Sequence, residues 1–275
     1  MPETVEVLVV SYGSAAIVSR LLDSLAEHLP GVPVALREHS ADPEALAQLR
    51  VVAARYPAAS RVEFDPTNPG FGAGCNALAA GSGARFLAFM NPDTELVSWP
   101  WTEASPPARA VIGPLMNDDA HQHYGRRYRI RDEVALSWLR RHPPRPNGDG
   151  YVSGAAMLID RESFELIGGF DPKFFLFYED IDLCIRANAA KIPTLIAPGW
   201  TMRHGRHHST ADRFGQSLLW SFESALRYYR KHGSPVWAYR LYKVVDATAR
   251  AALHAVRRTG KAGAYLALAR RAVNA

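Results

Sequence analysis

The stretch VEVLVVSY, residues 5–12, decides the fold. It is an almost continuous β-branched run, the pattern of a central parallel strand buried on both faces. Gly13 and Ser14 then turn the chain into a predicted helix over residues 15–29, with Ile17, Val18, Leu21, Leu22 and Leu25 along one side. A second strand is expected over 32–36. Ser40 or Asp42 caps a helix that has Pro43 at its first position and continues to Tyr56. A third strand covers 61–64. Strands alternating with helices through short connections imply an α/β fold, a mostly parallel central sheet flanked by helices. Ligands on such sheets bind beyond the carboxyl ends of the strands.

Two segments fall at such ends. Asn68-Pro69-Gly70-Phe71-Gly72-Ala73-Gly74-Cys75-Asn76 has three alternate glycines and runs into a helix expected over 77–82. It reads either as a ligand-approaching loop with a phosphate at the helix N-terminus or as a tight connection. It is not the dinucleotide fingerprint, because Cys75 stands where the third glycine belongs. A fourth strand over 84–90 ends in Asn91-Pro92-Asp93. There Asp93 suits a divalent metal, and the same three residues also make a good turn.

Farther along, strands are expected over 110–116, 151–160 and 193–197, with irregular chain over 98–109. Residues 117–150 read as a variable loop region with one helix over 132–141. Gly154 leaves room for a ligand. The segment 177–186, FYEDIDLCIR, follows a Gly168-Gly169-Phe170-Asp171-Pro172 turn. Its apolar spacing gives a short helix, and Asp182 and Arg186 are placed to pair across one turn. Glu179 and Asp180 stand at the helix entrance beside Phe174, Phe175, Phe177 and Tyr178. Poor solvation there raises a carboxylate's pKa and its strength as a base. Catalysis and helix capping both fit them. His204-Gly205-Arg206-His207-His208 lacks the spacing of a helical zinc pair. Arg206 and the histidines are alternatively suited to a diphosphate.

Bulk properties narrow the class. The chain has 275 residues, 48% of them hydrophobic, enough for a large core. No apolar run approaches a membrane span and no secretory signal is evident. Cys75 and Cys184 read as packed thiols in a reducing cytosol. From Arg227 onward there are eleven Lys/Arg and one acid, whereas residues 1–226 carry 21 basic and 26 acidic residues. The tail has Trp237, Leu241, Val244 and Val245 on one helical face. Arg240, Lys243, Arg250, His254 and Arg257 follow on another, and breaks are expected at Gly260 and Gly263. A basic amphipathic helix over 236–258 suits an anionic membrane surface; packing on the body with a solvated basic face is the alternative. No nucleic-acid reader motif accompanies the charge.

Together, VVSYGS, NPGFGAGCN, MNPDTEL, SGAAMLIDRESFELIGGFDPKFFLFYEDIDLCIR and the His204 region resemble the family-two inverting glycosyltransferases of the GT-A fold, and more narrowly the bacterial dTDP-rhamnosyltransferases. The resemblance runs from Val5 to about Tyr229. It implies a glycosyltransferase domain over 1–232, with a nucleotide-sugar half (1–97) and an acceptor half (98–232), and a basic helical tail over 233–275. It implies transfer of L-rhamnose from dTDP-rhamnose to a hydroxyl of a glycan or lipid-linked glycan; the alternatives are a UDP-sugar-dependent transferase acting on a soluble acceptor and a non-catalytic nucleotide-sugar-binding module. The implied location is the cytoplasm, at the inner face of the cell membrane. Asp180 resembles the general base, with Glu179 beside it. Asp93 and His204 resemble the site of Mg²⁺ or Mn²⁺. Ser11, Tyr12, Glu38, Asn68, Gly72, Asn76, Asn91 and Asp93 would line the donor pocket. One departure is clear: the family's Asp-Asn-x-Ser, whose aspartate binds the pyrimidine, reads Arg37-Glu38-His39-Ser40 here.

Overall fold

A computed structural model describes residues 4–56, 58–116, 125–126, 129–130, 133–134, 150–205 and 213–275. The chain forms two compact units: Met1–Arg127 with Pro144–Lys173 and Glu179–His207, and Tyr128–Pro143 with Phe174–Tyr178 and His208–Ala275.

In the first unit, β1 (Val5–Ser11), α1 (Ala15–His28), β2 (Val34–Glu38), α2 (Pro43–Ala54), β3 (Ala59–Phe64), α3 (Phe71–Ala80) and β4 (Phe86–Met90) form the expected parallel half. Asp42 caps α2 by accepting from the Glu44 amide, with Pro43 in the first turn. β5 (Thr94–Ser98), β6 (Val111–Met116) and the ribbon of β7 (Gly125–Arg126) and β8 (Gly150–Tyr151) follow. Next come β9 (Ala156–Asp160), α4 (Arg161–Leu166), α5 (Glu179–Ala189) and β10 (Thr194–His204). The sheet order is β3-β2-β1-β4-β9-β6-β10-β5. β9 runs antiparallel to both neighbours, and β5 is antiparallel to β10. Alternation along β1 explains the layers. Val7 and Val9 face a core with Leu21, Leu25, Phe86 and Trp200. Leu8 faces the other way, among Cys75, Phe89, Phe170 and Leu183.

Four local differences from the sequence expectation have physical causes. Most of the glycine segment is helix: α3 starts at Phe71, after Gly70 at φ 103°. Its glycines serve close packing, since a Cβ on Gly74 would lie 2.6 Å from His39 Cε1 and 2.9 Å from Val10. β5 adds an unanticipated edge strand. β10 runs on to His204 through an irregularity between Ala197 and Thr201, where Pro198 has no N–H to give the ladder. Finally, α5 begins at Glu179, because Phe177 and Tyr178 both occupy the left-handed region (φ 69° and 67°).

The second unit contains α6 (Phe214–Lys231), α7 (Val236–Val256) and α8 (Ala262–Asn274). Gly233 and Gly260, both at positive φ, separate them, while Gly263 lies within α8. Tyr178, Tyr228, Tyr229 and Tyr239 form an aromatic cluster. Tyr229, Tyr178 and Tyr239 direct their hydroxyls to the Glu133 carboxylate at 3.0, 3.4 and 3.4 Å, and Lys243 pairs with it at 2.5 Å. Glu133 and Val134 are helical; the remainder of the expected 132–141 helix lies outside the described residues.

Candidate functional site

The carboxyl ends of β1 and β2 carry a group of buried polar side chains. Glu38 is fully buried, and its Oε1 accepts from the Gly13 and Ser40 amides, both at 2.8 Å. Its Oε2 and the hydroxyls of Ser11 and Ser40 have no hydrogen-bond partner among the described residues. Unpaired buried polar atoms are costly in a folded chain, so such a concentration marks a place built to receive a polar ligand. Tyr12 is half-buried, and its carbonyl accepts from the Ser14 hydroxyl at 3.0 Å.

Arg37, near the end of β2, is clamped. It reaches Glu63 at 2.5 Å, Asp65 at 2.7 Å and His39 Nε2 at 3.1 Å. The Thr67 hydroxyl, with Arg37 and the Thr67 amide, lowers the Asp65 pKa to about 2. Burial and the neighbouring guanidinium lower that of His39, so its ring is neutral and accepts from Arg37. His39 also bonds Asn68, which stands at φ 46°. Glu63, Asp65 and His39 were not singled out in the sequence. The cross-strand register of Arg37 with Glu63 is the signal that finds the first.

Gly72 and Asn76 lie on α3. Asn76 is committed to the backbone of Phe170: its Nδ2 donates to the carbonyl at 2.8 Å, and its Oδ1 accepts from the amide at 2.9 Å. A Cβ on Gly72 would lie 2.9 Å from Phe170 Cβ and 3.6 Å from Glu179 Cβ. These two residues therefore seat the turn and the α5 entrance against α3.

The two carboxylates there differ. Glu179 is buried and its Oε2 has no hydrogen-bond partner among the described residues; burial, with the adjacent Asp180 charge, raises its pKa well above the ordinary range. Burial also raises Asp180. Asp180, however, accepts from the Gly154 amide at 2.9 Å and the Ile181 amide at 2.8 Å, and it remains partly exposed at a helix N-terminus. Burial therefore works against the charged form of Glu179, while the two amides favour the charged form of Asp180. Asp182 is fully buried and bonded to Arg186 at 2.8 Å; Arg186 also donates to the carbonyls of Ile167 and Gly169. That pair holds α5 to the preceding turn.

Hydrogen bonds connect this corner to the end of β4. Next to Gly154, the Ala155 carbonyl accepts from the Asn91 amide at 2.8 Å. The Asn91 carbonyl in turn accepts from the Thr94 hydroxyl, closing the turn that presents Asp93. β10 then brings His204 Nε2 to 3.2 Å from Asp93 Oδ1, and the Gly205 amide donates to the Asp93 carbonyl. One carboxylate and one imidazole suit a divalent cation that takes its other ligands from a diphosphate. Among the described residues no cluster of three or more metal-binding side chains occurs. Arg206, His207 and His208 lie outside the described residues.

No family model matches the chain. Over 78 residues it is 32% identical to the rhamnosyltransferase WbbL of Escherichia coli, covering 28% of this chain and 30% of that protein. Over 61 residues it is 36% identical to an N-acetylglucosaminyl-diphospho-decaprenol L-rhamnosyltransferase of Mycobacterium tuberculosis, covering 22% and 20%. The matches thus span less than a third of either relative's length. Among solved structures, GalNAc-T7 with UDP, GalNAc and Mn²⁺ superposes with a TM-score of 0.58 at 14% identity, over 74% of this chain and 44% of that one. A mannosyltransferase of Pyrobaculum calidifontis with GDP-Man and Mn²⁺ gives 0.55 at 18%, over 99% and 80%. The fold is GT-A. This GT-A chain also resembles rhamnosyltransferases in sequence, so the expectations of fold and resemblance are met.

Proposed function

We propose that the chain is an inverting, metal-dependent glycosyltransferase that moves L-rhamnose from dTDP-rhamnose to a hydroxyl of a lipid-linked or cell-envelope glycan. The carrying observation is the continuous arrangement from Asp180, through Gly154, Ala155 and Asn91, to the Asp93–His204 pair. It supplies a negatively charged base at one end and cation donors at the other.

In this reading Asp180 takes the proton of the acceptor hydroxyl as its oxygen attacks the anomeric carbon. Its bonds to the Gly154 and Ile181 amides fix the orientation of the carboxylate. Glu179, protonated, keeps the local charge at one. Asp93 and His204 would hold Mg²⁺ or Mn²⁺, which when bound would supply positive charge toward the departing diphosphate. Ser11, Glu38 and Ser40 offer unpaired polar atoms to the nucleoside. Arg37 favours a second reading of the donor: a guanidinium clamped by two carboxylates replaces a lone acid, and a UDP-sugar with a soluble acceptor is the alternative.

No helix among the described residues is long and apolar enough to cross a membrane. We place the protein in the cytoplasm at the membrane face, where residues 236–258 meet anionic lipid.

Calorimetric titration with dTDP and UDP, each with and without Mn²⁺, tests the donor. Metal-dependent dTDP binding that exceeds UDP binding is expected, and preference for UDP would move the donor. Asp180→Asn should keep nucleotide binding and lower turnover at least ~10²-fold. Near-normal turnover removes Asp180 from the role.

A further inference from the structure

α7 is oriented opposite to the usual amphipathic pattern. Its cationic side chains turn toward neighbouring groups of the second unit. Arg240 donates to the Ala272 and Val273 carbonyls at 3.0 and 2.5 Å. Lys243 pairs with Glu133, and Arg250 pairs with Asp246 at 2.9 Å. His254 stacks on Tyr265, with ring planes 8° apart, and contacts the Thr259 hydroxyl.

The opposite side is apolar and exposed. Trp237 is 70% exposed, Leu241 59%, Val245 57% and Val256 82%, with Thr248 and Ala252 exposed between the last two, the threonine being the one polar residue on this line. The apolar members' spacing of four, four, seven and four residues keeps them on one face for 20 residues, or ~28 Å of helix. Exposed apolar surface of this continuity marks an interaction face.

We propose that this apolar stripe of α7, rather than its basic face, docks the protein into the interfacial layer of an anionic lipid bilayer. The proposal rests on the membrane-surface reading above and changes the residues that carry it. Charge complementarity selects the occupant. Residues 213–275 contain twelve Lys/Arg and two acids. Arg257, Arg258 and Lys261 are exposed just past the stripe, where they meet headgroups as the apolar side chains enter the acyl boundary. A second copy on the same face would bring two such cationic segments within a Debye length of each other, which an anionic surface avoids. The stripe is built from small and medium side chains with an indole at one end. That composition suits a helix lying in the interface plane.

The test is co-sedimentation of the full chain with vesicles of phosphatidylcholine alone and of phosphatidylcholine mixed with phosphatidylglycerol. Wild type should bind the anionic vesicles. The double variant Leu241→Glu, Val245→Glu should bind at least ~10-fold more weakly, as should Trp237→Ser with Val256→Glu, with dTDP and Mn²⁺ titrations unchanged as a check of folding. Replacing Arg257 and Arg258 by Glu should weaken binding at low salt. If wild type binds and both stripe variants bind equally well, the stripe is overturned while the membrane reading stands. If wild type binds neither vesicle, both fail, and the nucleotide titration still judges the glycosyltransferase reading separately. A dimer by light scattering that the stripe variants dissociate would assign the face to a second copy instead.

Discussion

Gly72→Ala sets two effects against each other. Gly72 lies in the first turn of α3, where alanine is intrinsically the better helix former by at most ~1 kcal/mol. The added methyl, however, would stand 2.9 Å from Phe170 Cβ and 3.4 Å from Phe170 Cγ, inside van der Waals contact. Phe170 is fully buried and held by Asn76 through both its amide and its carbonyl, so retreat is costly. Overpacking of a fixed core side chain costs ~1–3 kcal/mol. The net loss should be about 1–2 kcal/mol, or roughly 2–6 °C in Tm for a chain of this size. Because Glu179 Cβ is the next neighbour at 3.6 Å, the displacement should also reach the α5 entrance and lower kcat about tenfold. Thermal denaturation followed by circular dichroism measures the first effect. Gly83→Ala, which meets nothing within 4 Å, is the control and should melt at or slightly above wild type. If Gly72→Ala melts as high as that control, the glycine is not there for packing and the argument for the α3–turn junction is wrong.

Three other substitutions probe the rest. The raised pKa of Glu179 means that the folded chain holds its proton more tightly than the unfolded chain, so stability falls as pH rises above the ordinary value of 4.5. Glu179→Gln should therefore exceed wild type in Tm at pH 8, the gap closing toward pH 4.5; equal slopes across that range would place the proton elsewhere. Asp93→Ala and His204→Ala should each weaken Mn²⁺ binding in the presence of nucleotide at least ~10-fold; unchanged affinity in the first would return Asp93 to a turn residue, and in the second would remove His204 from the site. Glu133→Ala strands Lys243 among three tyrosines and should cost about 3 kcal/mol, whereas Glu133→Gln, which keeps an acceptor for the phenols, should cost clearly less; equal losses would mean that the charge paired with Lys243, and not the phenol bonds, is what matters.

The parallel half of the sheet was legible because each strand is a short apolar run closed by turn chemistry, and the acidic helix because its apolar residues recur at helical spacing. Edge strand β5 was not. TELVS buries only part of its side chains and has no continuous apolar run to announce it. The glycines of α3 were misleading for a different reason. Gly at 70, 72 and 74 signals a loop by propensity, and tertiary contact with Phe170 and His39 overrides that propensity. At the candidate site, Glu179 and Asp180 are indistinguishable as neighbouring carboxylates in sequence. What separates them is the Gly154 amide, 26 residues away, which bonds Asp180. The orientation of α7 was equally hidden, because periodicity shows that a helix has two faces and not which one turns inward.

The placement of β10 between β6 and β5 has a consequence for synthesis. Asp93 and His204 are 111 residues apart in the chain. At ordinary translation speeds the histidine emerges roughly 6–20 s after the aspartate. Throughout that interval β5 lacks the strand it pairs with in the folded chain. Its open backbone is then a pairing site for any passing strand. The nascent N-terminal half of the sheet thus carries an unprotected edge beside one member of the Asp93–His204 pair, and a single late strand covers the one and completes the other.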